Sequence, residues 1–209
     1  MVAKRGPRLK SIRRLGTPLP GLTRKSADKK PYPPGQHGQS GGGGRGRRKD
    51  SEYGRQLREK QKLRLNYGVS ERQLRNYMAR AVGQGGKTGE ALLGLLERRL
   101  DNVVFRLGLA PTIPSARQLV AHGHIRVNGR RVDRAGFIMD VGQHVSVSDR
   151  ARTMHEVKTS VEHGPQVRLP GFLAIDPSDK FGGRMISLPM RADVPLIVDD
   201  TAVVEFYAR

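Results

Sequence analysis

The 36 residues from Arg98 to Asp133, RRLDNVVFRLGLAPTIPSARQLVAHGHIRVNGRRVD, leave this chain few folds to choose from. Leu96, Leu100, Val103, Val104 and Leu107 recur at helical spacing and make one apolar face. Arg99 and Arg106 stand seven positions apart, two helical turns, and so share another face. Gly108 stops that helix. A second helix opens near Thr112 or Ser115: Pro114 suits a first turn, and Ser115 to Gln118 fits an S-x-x-Q capping box. It carries Ala116, Leu119 and Val120 inward and leaves Arg117 and His122 near the surface. Ile125 and Val127 then alternate as a strand does, and Asn128-Gly129 is a two-residue hairpin sequence. Arg130 and Arg131 follow at once. Cationic groups thus gather at a turn beside two helix ends, an arrangement suited to gripping phosphate. Its candidate contacts are Arg99, Arg106, Arg117, His122, Arg130 and Arg131.

Charge points the same way. A formal +20 over 209 residues calls for a polyanionic partner. Residues 1–80 hold 22 Lys/Arg against 5 Asp/Glu, residues 81–160 hold 12 against 7, and residues 161–209 hold 5 against 7. Nucleic acid is therefore expected on the N-terminal part and the arginine-rich module, leaving the C-terminal quarter for protein or solvent. A membrane surface is the rival polyanion. It is set aside because no long apolar run, signal peptide or basic amphipathic helix with an aromatic-rich face is present. The chain has no cysteine, which excludes disulfides and thiolate metal sites.

Four segments follow from composition and pattern. Residues 1–49 read as a basic arm and linker: Arg5, Arg8, Arg13 and Arg14 among prolines, then Gly41 to Gly44 followed by Arg45, Arg47, Arg48 and Lys49. With few apolar groups to offset its ordering entropy, the arm is expected to order only against RNA. Residues 50–96 read as a helical domain. A long helix over Asp50 to Tyr67 is capped by Asp50 or Ser51 and ended by Gly68, and Ser70 to Gln73 caps the next. The first helix carries Arg55, Arg58, Lys60, Lys62 and Arg64, and Arg72 opens the second. Like charges at i,i+4 disfavour such a helix in isolation, so docking on phosphate is expected. Residues 97–190 read as the module with C-terminal strands at Phe172 to Asp176 and Arg184 to Leu188, Gly182-Gly183 marking the turn between them. Residues 191–209, with a strand at Val203 to Tyr207, are expected to pack back on the helical domain. The fold class is α+β, two helices on a small, mainly antiparallel sheet beside a helical domain.

The Arg98 to Asp133 stretch resembles the RNA-binding module first named after ribosomal protein S4. The resemblance extends to PYPPGQHGQ (Pro31 to Gln39), EYGRQLREKQKLRLNYG (Glu52 to Gly68), ERQLRNYM (Glu71 to Met78) and VVEFYAR (Val203 to Arg209), so that nearly the whole chain is similar to the bacterial and plastid S4 family. The opening GPRLKSIRRLGTPLPGLTRK and the APTIPSARQLV segment are most like its cyanobacterial and plastid branch. Many bacterial members carry a four-cysteine zinc knuckle in the first thirty-odd residues; this chain departs from that pattern. The resemblance implies binding to the 5′ domain of small-subunit ribosomal RNA, nucleation of assembly and a contact with ribosomal protein S5 that matters for decoding fidelity. It also implies that Arg45, Arg47, Arg48 and Lys49 face the messenger where it enters the subunit. The implied setting is the ribosome of a bacterial cytoplasm or, alternatively, of a plastid stroma, with the absence of a transit peptide favouring synthesis at the place of work.

Enzyme readings fall away. Arg99-Leu100-Asp101 matches the catalytic triplet of pseudouridine synthases, some of which carry this module, but Asn102-Val103-Val104-Phe105 replaces the continuation those enzymes need. Asp101 then reads as a partner for a nearby arginine or as a helix-surface charge. Tyrosyl-tRNA synthetases share the module, yet His122-Gly123-His124 is not their nucleotide signature. His122 and His124 could share a strand face, but no cysteine or close carboxylate completes a metal set. The glycine run lacks the strand that precedes a phosphate-binding loop. A structural RNA-binding protein with no catalytic residue, cofactor or small-molecule substrate is expected. An RNA-modifying enzyme or RNA chaperone that borrows the module is the runner-up.

Overall fold

The computed structural model describes residues 7–35, 38 and 51–208. After α1 (Arg8–Leu15) come α2 (Glu52–Asn66), α3 (Glu71–Gly83) and α4 (Thr88–Glu97). Ser51 caps α2, its hydroxyl accepting from the Gly54 amide at 3.2 Å. Ser70 and Gln73 form the full capping box of α3, each side chain meeting the other's backbone amide. The module follows as α5 (Leu100–Arg106), α6 (Ile113–Ala121), β1 (Ile125–Val127) and β2 (Arg130–Arg131). Thr112 decides where α6 begins, because its hydroxyl accepts from the Ser115 amide. Between β1 and β2, Asn128 and Gly129 both have positive φ (48° and 79°), as a two-residue type I′ turn requires.

Then come β3 (His144–Val147), α7 (Asp149–Arg152), α8 (His155–His163), β4 (Leu173–Ile175) and β5 (Gly182–Met185), and the described chain closes on α9 (Asp200–Ala208). The five strands form one sheet of order β2-β1-β3-β5-β4, every pair antiparallel. Ile125, Val127, Val145, Val147, Leu173 and Met185 turn to the core, so the class is α+β. Register then fixes the other face. Arg126 lies opposite Arg131 and Ser146, and His144 lies opposite Arg184.

Three expectations are corrected. Residues 7–35 do not form an extended arm but pack on the rest of the protein: Leu19 and Leu22 are 1% and 2% exposed, and Ile12 joins the same core. Gly21 is clamped at both ends, its amide on Asn66 Oδ1 at 3.0 Å and its carbonyl accepting from the Ile113 amide at 2.8 Å. A few well-placed leucines among prolines, which leave less entropy to lose, suffice. Second, Val203 to Tyr207 lies in a helix. Asp199 accepts from the Ala202 amide as its cap, and α9 buries Ala202 and Val203 while packing on α2 and α4. A short apolar run has no decisive period, and the Asp199-Asp200 cap was the usable signal. Third, Gly182-Gly183 opens β5 instead of forming a turn. A Cβ on Gly183 would come within 2.5 Å of Leu107 Cδ2 and 2.8 Å of the Ala174 carbonyl, so glycine marks a close approach of strand to helix.

Candidate nucleic-acid interface

The arginines that looked most like phosphate contacts divide sharply once side chains are placed. Arg99 is 1% exposed. Its Nε and Nη2 donate to the two oxygens of Asp101 at 3.0 and 2.7 Å, and its Nη1 donates to the Tyr77 hydroxyl at 2.7 Å. Arg117 reaches the same carboxylate from α6, with Nε at 3.2 Å and Nη2 at 2.6 Å, while its Nη1 donates to the Gly68 carbonyl at 2.6 Å. Arg106, 3% exposed, forks onto Glu97 at 3.1 and 2.6 Å. The Tyr67 hydroxyl and the Asn102 side-chain amide also donate to Glu97, at 2.5 and 2.7 Å. Burial, with the Glu97 carboxylate beside it, pushes the Tyr67 hydroxyl well above the usual tyrosine range. Arg99 and Arg106 are therefore not phosphate contacts, and Arg117 spends its fork internally. All three tie the module to α2, α3 and α4, because a buried cation needs a carboxylate more than it needs solvent. Asp101 is the structural partner that the triplet reading allowed.

Similar corrections apply in the helical domain. Lys60, 6% exposed, donates to Glu71 at 3.1 Å and sits 4.1 Å from the centre of the Phe206 ring. Lys62, 8% exposed, donates to Glu59 at 2.7 Å. Burying two lysines is tolerable because each has its own carboxylate. Arg13 is also turned inward. Its Nε donates to the carbonyls of Lys30 and Tyr32 at 3.1 and 3.0 Å, and its guanidinium lies 4.9 Å from the Tyr32 ring centre. Arg55 remains exposed beside Asp199 at 3.3 Å.

What stays accessible falls into two regions. Between α1 and α2 a groove of about 530 Å³ is lined by Arg14, Arg58 and Arg64, by Ser11, Gly54 and Gln61, and by the leucines Leu15, Leu57 and Leu65. Arg8 is exposed on α1, and Arg72 is exposed on α3. The second region is the outward face of the sheet and its hairpin. Arg130 and Arg131 are exposed there, as expected, and the register adds Arg126 and Arg184. Arg131 crosses the turn between α6 and β1: a Cβ on Gly123, whose φ is +75°, would lie 2.1 Å from Arg131 Nε. That places a guanidinium beside His122 and His124, whose ring centres are 6.1 Å apart. Burial, then the neighbouring His122, Arg150 and Arg131, holds His124 below the ordinary imidazole value.

Sequence reasoning missed Arg75, Arg80, Arg126, Arg134, Arg150 and Arg184, all exposed. Arg126 was legible, since Ile125-Arg126-Val127 alternates in, out, in. Arg150 and Arg184 were not, because their neighbours are brought in by distant strands. Arg5, Arg45, Arg47, Arg48 and Lys49 lie outside the described residues. Among the described residues no group of three or more His, Asp or Glu side chains is arranged to hold a metal ion. No helix among them is long and apolar enough to cross a membrane.

Residues 3–97 match the family described as Ribosomal protein S4/S9 N-terminal domain, and residues 98–145 match the S4 domain. Over 205 residues the chain is 50% identical to the Small ribosomal subunit protein uS4 of Trichodesmium erythraeum, covering 98% of this chain and 97% of that protein. This chain belongs to the uS4 family of small ribosomal subunit proteins. The uS4 of Thermosynechococcus vestitus is 51% identical over 209 residues, covering 100% of this chain and 99% of that one. That of Nostoc punctiforme is 51% identical over 205 residues, covering 98% and 97%. The two matched regions of this uS4 chain meet between Glu97 and Arg98, and buried ion pairs flank that seam. Glu97 is the last residue of one region and receives Arg106 from the other; Arg99 of the second region reaches Tyr77 of the first.

Proposed function

We propose that this chain is a structural protein of the small ribosomal subunit that binds the 5′ domain of small-subunit ribosomal RNA and nucleates its assembly. The observation that carries the reading is that one sheet face presents Arg126, Arg131 and Arg184 to solvent, with Arg130 exposed at the hairpin end opposite Val127, while Ile125, Val127, Val145, Val147, Leu173 and Met185 face the core. Guanidiniums fixed on a strand lattice meet phosphates at set spacings, and they recognise an RNA junction by shape, since A-form grooves hide most base edges. Arg14, Arg58 and Arg64 in the α1–α2 groove, with Arg8 and Arg72, supply a second phosphate-binding region, and His122 lies beside the first. Family likeness adds a contact with ribosomal protein S5, a contribution to decoding fidelity, and a place for Arg45, Arg47, Arg48 and Lys49 beside incoming messenger RNA. The working place is the ribosome, in a bacterial cytoplasm or a plastid stroma. No catalytic role is assigned.

The test is binding of the purified chain to a 5′-domain ribosomal RNA fragment and to an unrelated duplex of equal length, across a salt series. Preference for the junction fragment is expected, with affinity falling steeply as salt rises because each neutralised phosphate releases counterions. Charge reversal of Arg126 and Arg131 together should weaken binding while leaving the thermal melt unchanged. Equal affinity for both RNAs, or a double variant that binds normally, would overturn the reading.

A further inference from the structure

Three elements converge where α6 ends: the turn His122-Gly123-His124, Arg131 on β2, and Arg150 at the start of α7. The convergence is built into the backbone, since the Ser148 amide donates to the His124 carbonyl at 2.8 Å and so brings α7 to the turn. Arg131 is held by the absence of a side chain at Gly123, where a Cβ would meet its guanidinium at 2.1 to 2.4 Å. His122, Arg131 and Arg150 are exposed and His124 is partly so. None of the four makes a side-chain hydrogen bond or ion pair among the described residues. The other charged groups near this corner are Arg126 on β1 and Asp149 on α7, and Asp149 is engaged with Arg126 and Arg152, each at 3.8 Å.

Resting on the RNA-binding reading above, we propose that His124, flanked by His122, Arg131 and Arg150, is a proton-linked phosphodiester site, so that RNA docking there takes up a proton on the imidazole. In the free protein, partial burial and the surrounding cations disfavour an imidazolium. A phosphate oxygen arriving between them removes the like-charge repulsion and accepts the imidazolium N–H, so the protonated form becomes the favoured one. The bound state holds more protons than the free state. Affinity is therefore fully expressed at low pH and lost as pH rises, with a limiting slope of about tenfold per pH unit for one proton. The window opens below the ordinary imidazole value of 6.5, because His124 starts below it. Phosphodiesters stay fully ionised throughout, and arginines stay charged, so neither contributes to the slope.

Fluorescence anisotropy with the 5′-domain RNA fragment, at constant ionic strength from pH 5.5 to 8.5, reads this directly. Calorimetry in buffers of different ionisation enthalpy counts the protons. Wild type should bind more tightly as pH falls and take up close to one proton, while His124→Gln should flatten the slope and His163→Gln should not. In wild type the His124 ring-proton NMR signal should move toward its protonated position when RNA is added near pH 7, a readout that does not depend on how the variant folds. Normal binding with no pH slope, or a slope that survives His124→Gln with an unmoved ring signal, overturns the proton link and leaves the RNA-binding reading standing. No binding at any pH overturns both.

Discussion

Replacing Arg99 with alanine should destabilise this protein without altering how its folded form holds RNA. The side chains of Arg99 and Asp101 are 1% and 0% exposed, so solvent screening offers no discount. The substitution removes two charge-assisted bonds to Asp101 and one to Tyr77. Asp101 keeps the two bonds from Arg117 and one from the Asn102 amide, so its charge is not left wholly uncompensated. Removing one partner of a buried pair costs about 3–5 kcal/mol, and the remaining Arg117 bonds favour the lower half of that range. For a chain of this size each kcal/mol moves the melting temperature by roughly 2–4 °C, so about 3–4 kcal/mol gives a fall of roughly 6–16 °C. Arg99→Lys should recover little, because an ammonium cannot span both carboxylate oxygens and Tyr77 at once. Differential scanning calorimetry and anisotropy on the 5′-domain RNA, both well below the lowered melting temperature, separate the two effects. A variant that melts like wild type but binds RNA weakly would refute the structural assignment and return Arg99 to the phosphate contacts.

Other consequences can be checked with equal directness. Arg13→Ala frees the Lys30 and Tyr32 carbonyls from its guanidinium, so trypsin should cut after Arg24, Lys25 or Lys29 several-fold faster; an unchanged cleavage rate would show that the loop is held by other contacts. Gly183→Ala must displace Leu107 or the β4 backbone and should cost about 1–3 kcal/mol, read as a lower urea midpoint; an unmoved midpoint would mean the strand has room that the geometry denies. Burial alone would raise the Glu71 carboxyl. The hydrogen bonds from Tyr207 and Lys60, with the cations Lys60 and Arg64, outweigh it and hold that group below its ordinary 4.5. A carboxyl depressed in the folded state contributes stability above its unfolded pKa and loses it as pH falls through the folded one. Glu71→Gln should therefore flatten the acid limb of the melting profile below about pH 4.5, and identical limbs would remove Glu71 from the linkage.

Local rules made the module readable from sequence alone. The helical spacing from Leu100 to Leu107, the Asn128-Gly129 turn, the Ser70–Gln73 capping box and Ser51 ahead of α2 each depend on residues within a few positions, whereas the single helix expected from Leu96 breaks at Arg98 and Arg99, where extended Arg99 caps α5 and pairs with Ile138. The physics they report is complete at that range. The net charge likewise called for a polyanionic partner without any coordinates. Which arginines meet that polyanion was a different matter. Arg99, Arg106 and Arg131 are chemically identical in sequence, but Asp101 and Tyr77 claim the first, Glu97 claims the second, and Gly123 leaves the third a shelf at the surface. The same holds for Lys60, whose fate was settled by Glu71 and by Phe206 on α9, nearly 150 positions away. A run such as Val203 to Tyr207 suits a strand or a helix until α2 and α4 offer it a surface, and a glycine pair reads as a turn until Leu107 fills the space beside it. Sequence determined the local elements and the sign of the partner, because spacing and net charge are properties of the chain. Only the tertiary structure decided which cations stay at the surface, because a buried carboxylate captures the arginine nearest in space, and nearness in space is made by the fold.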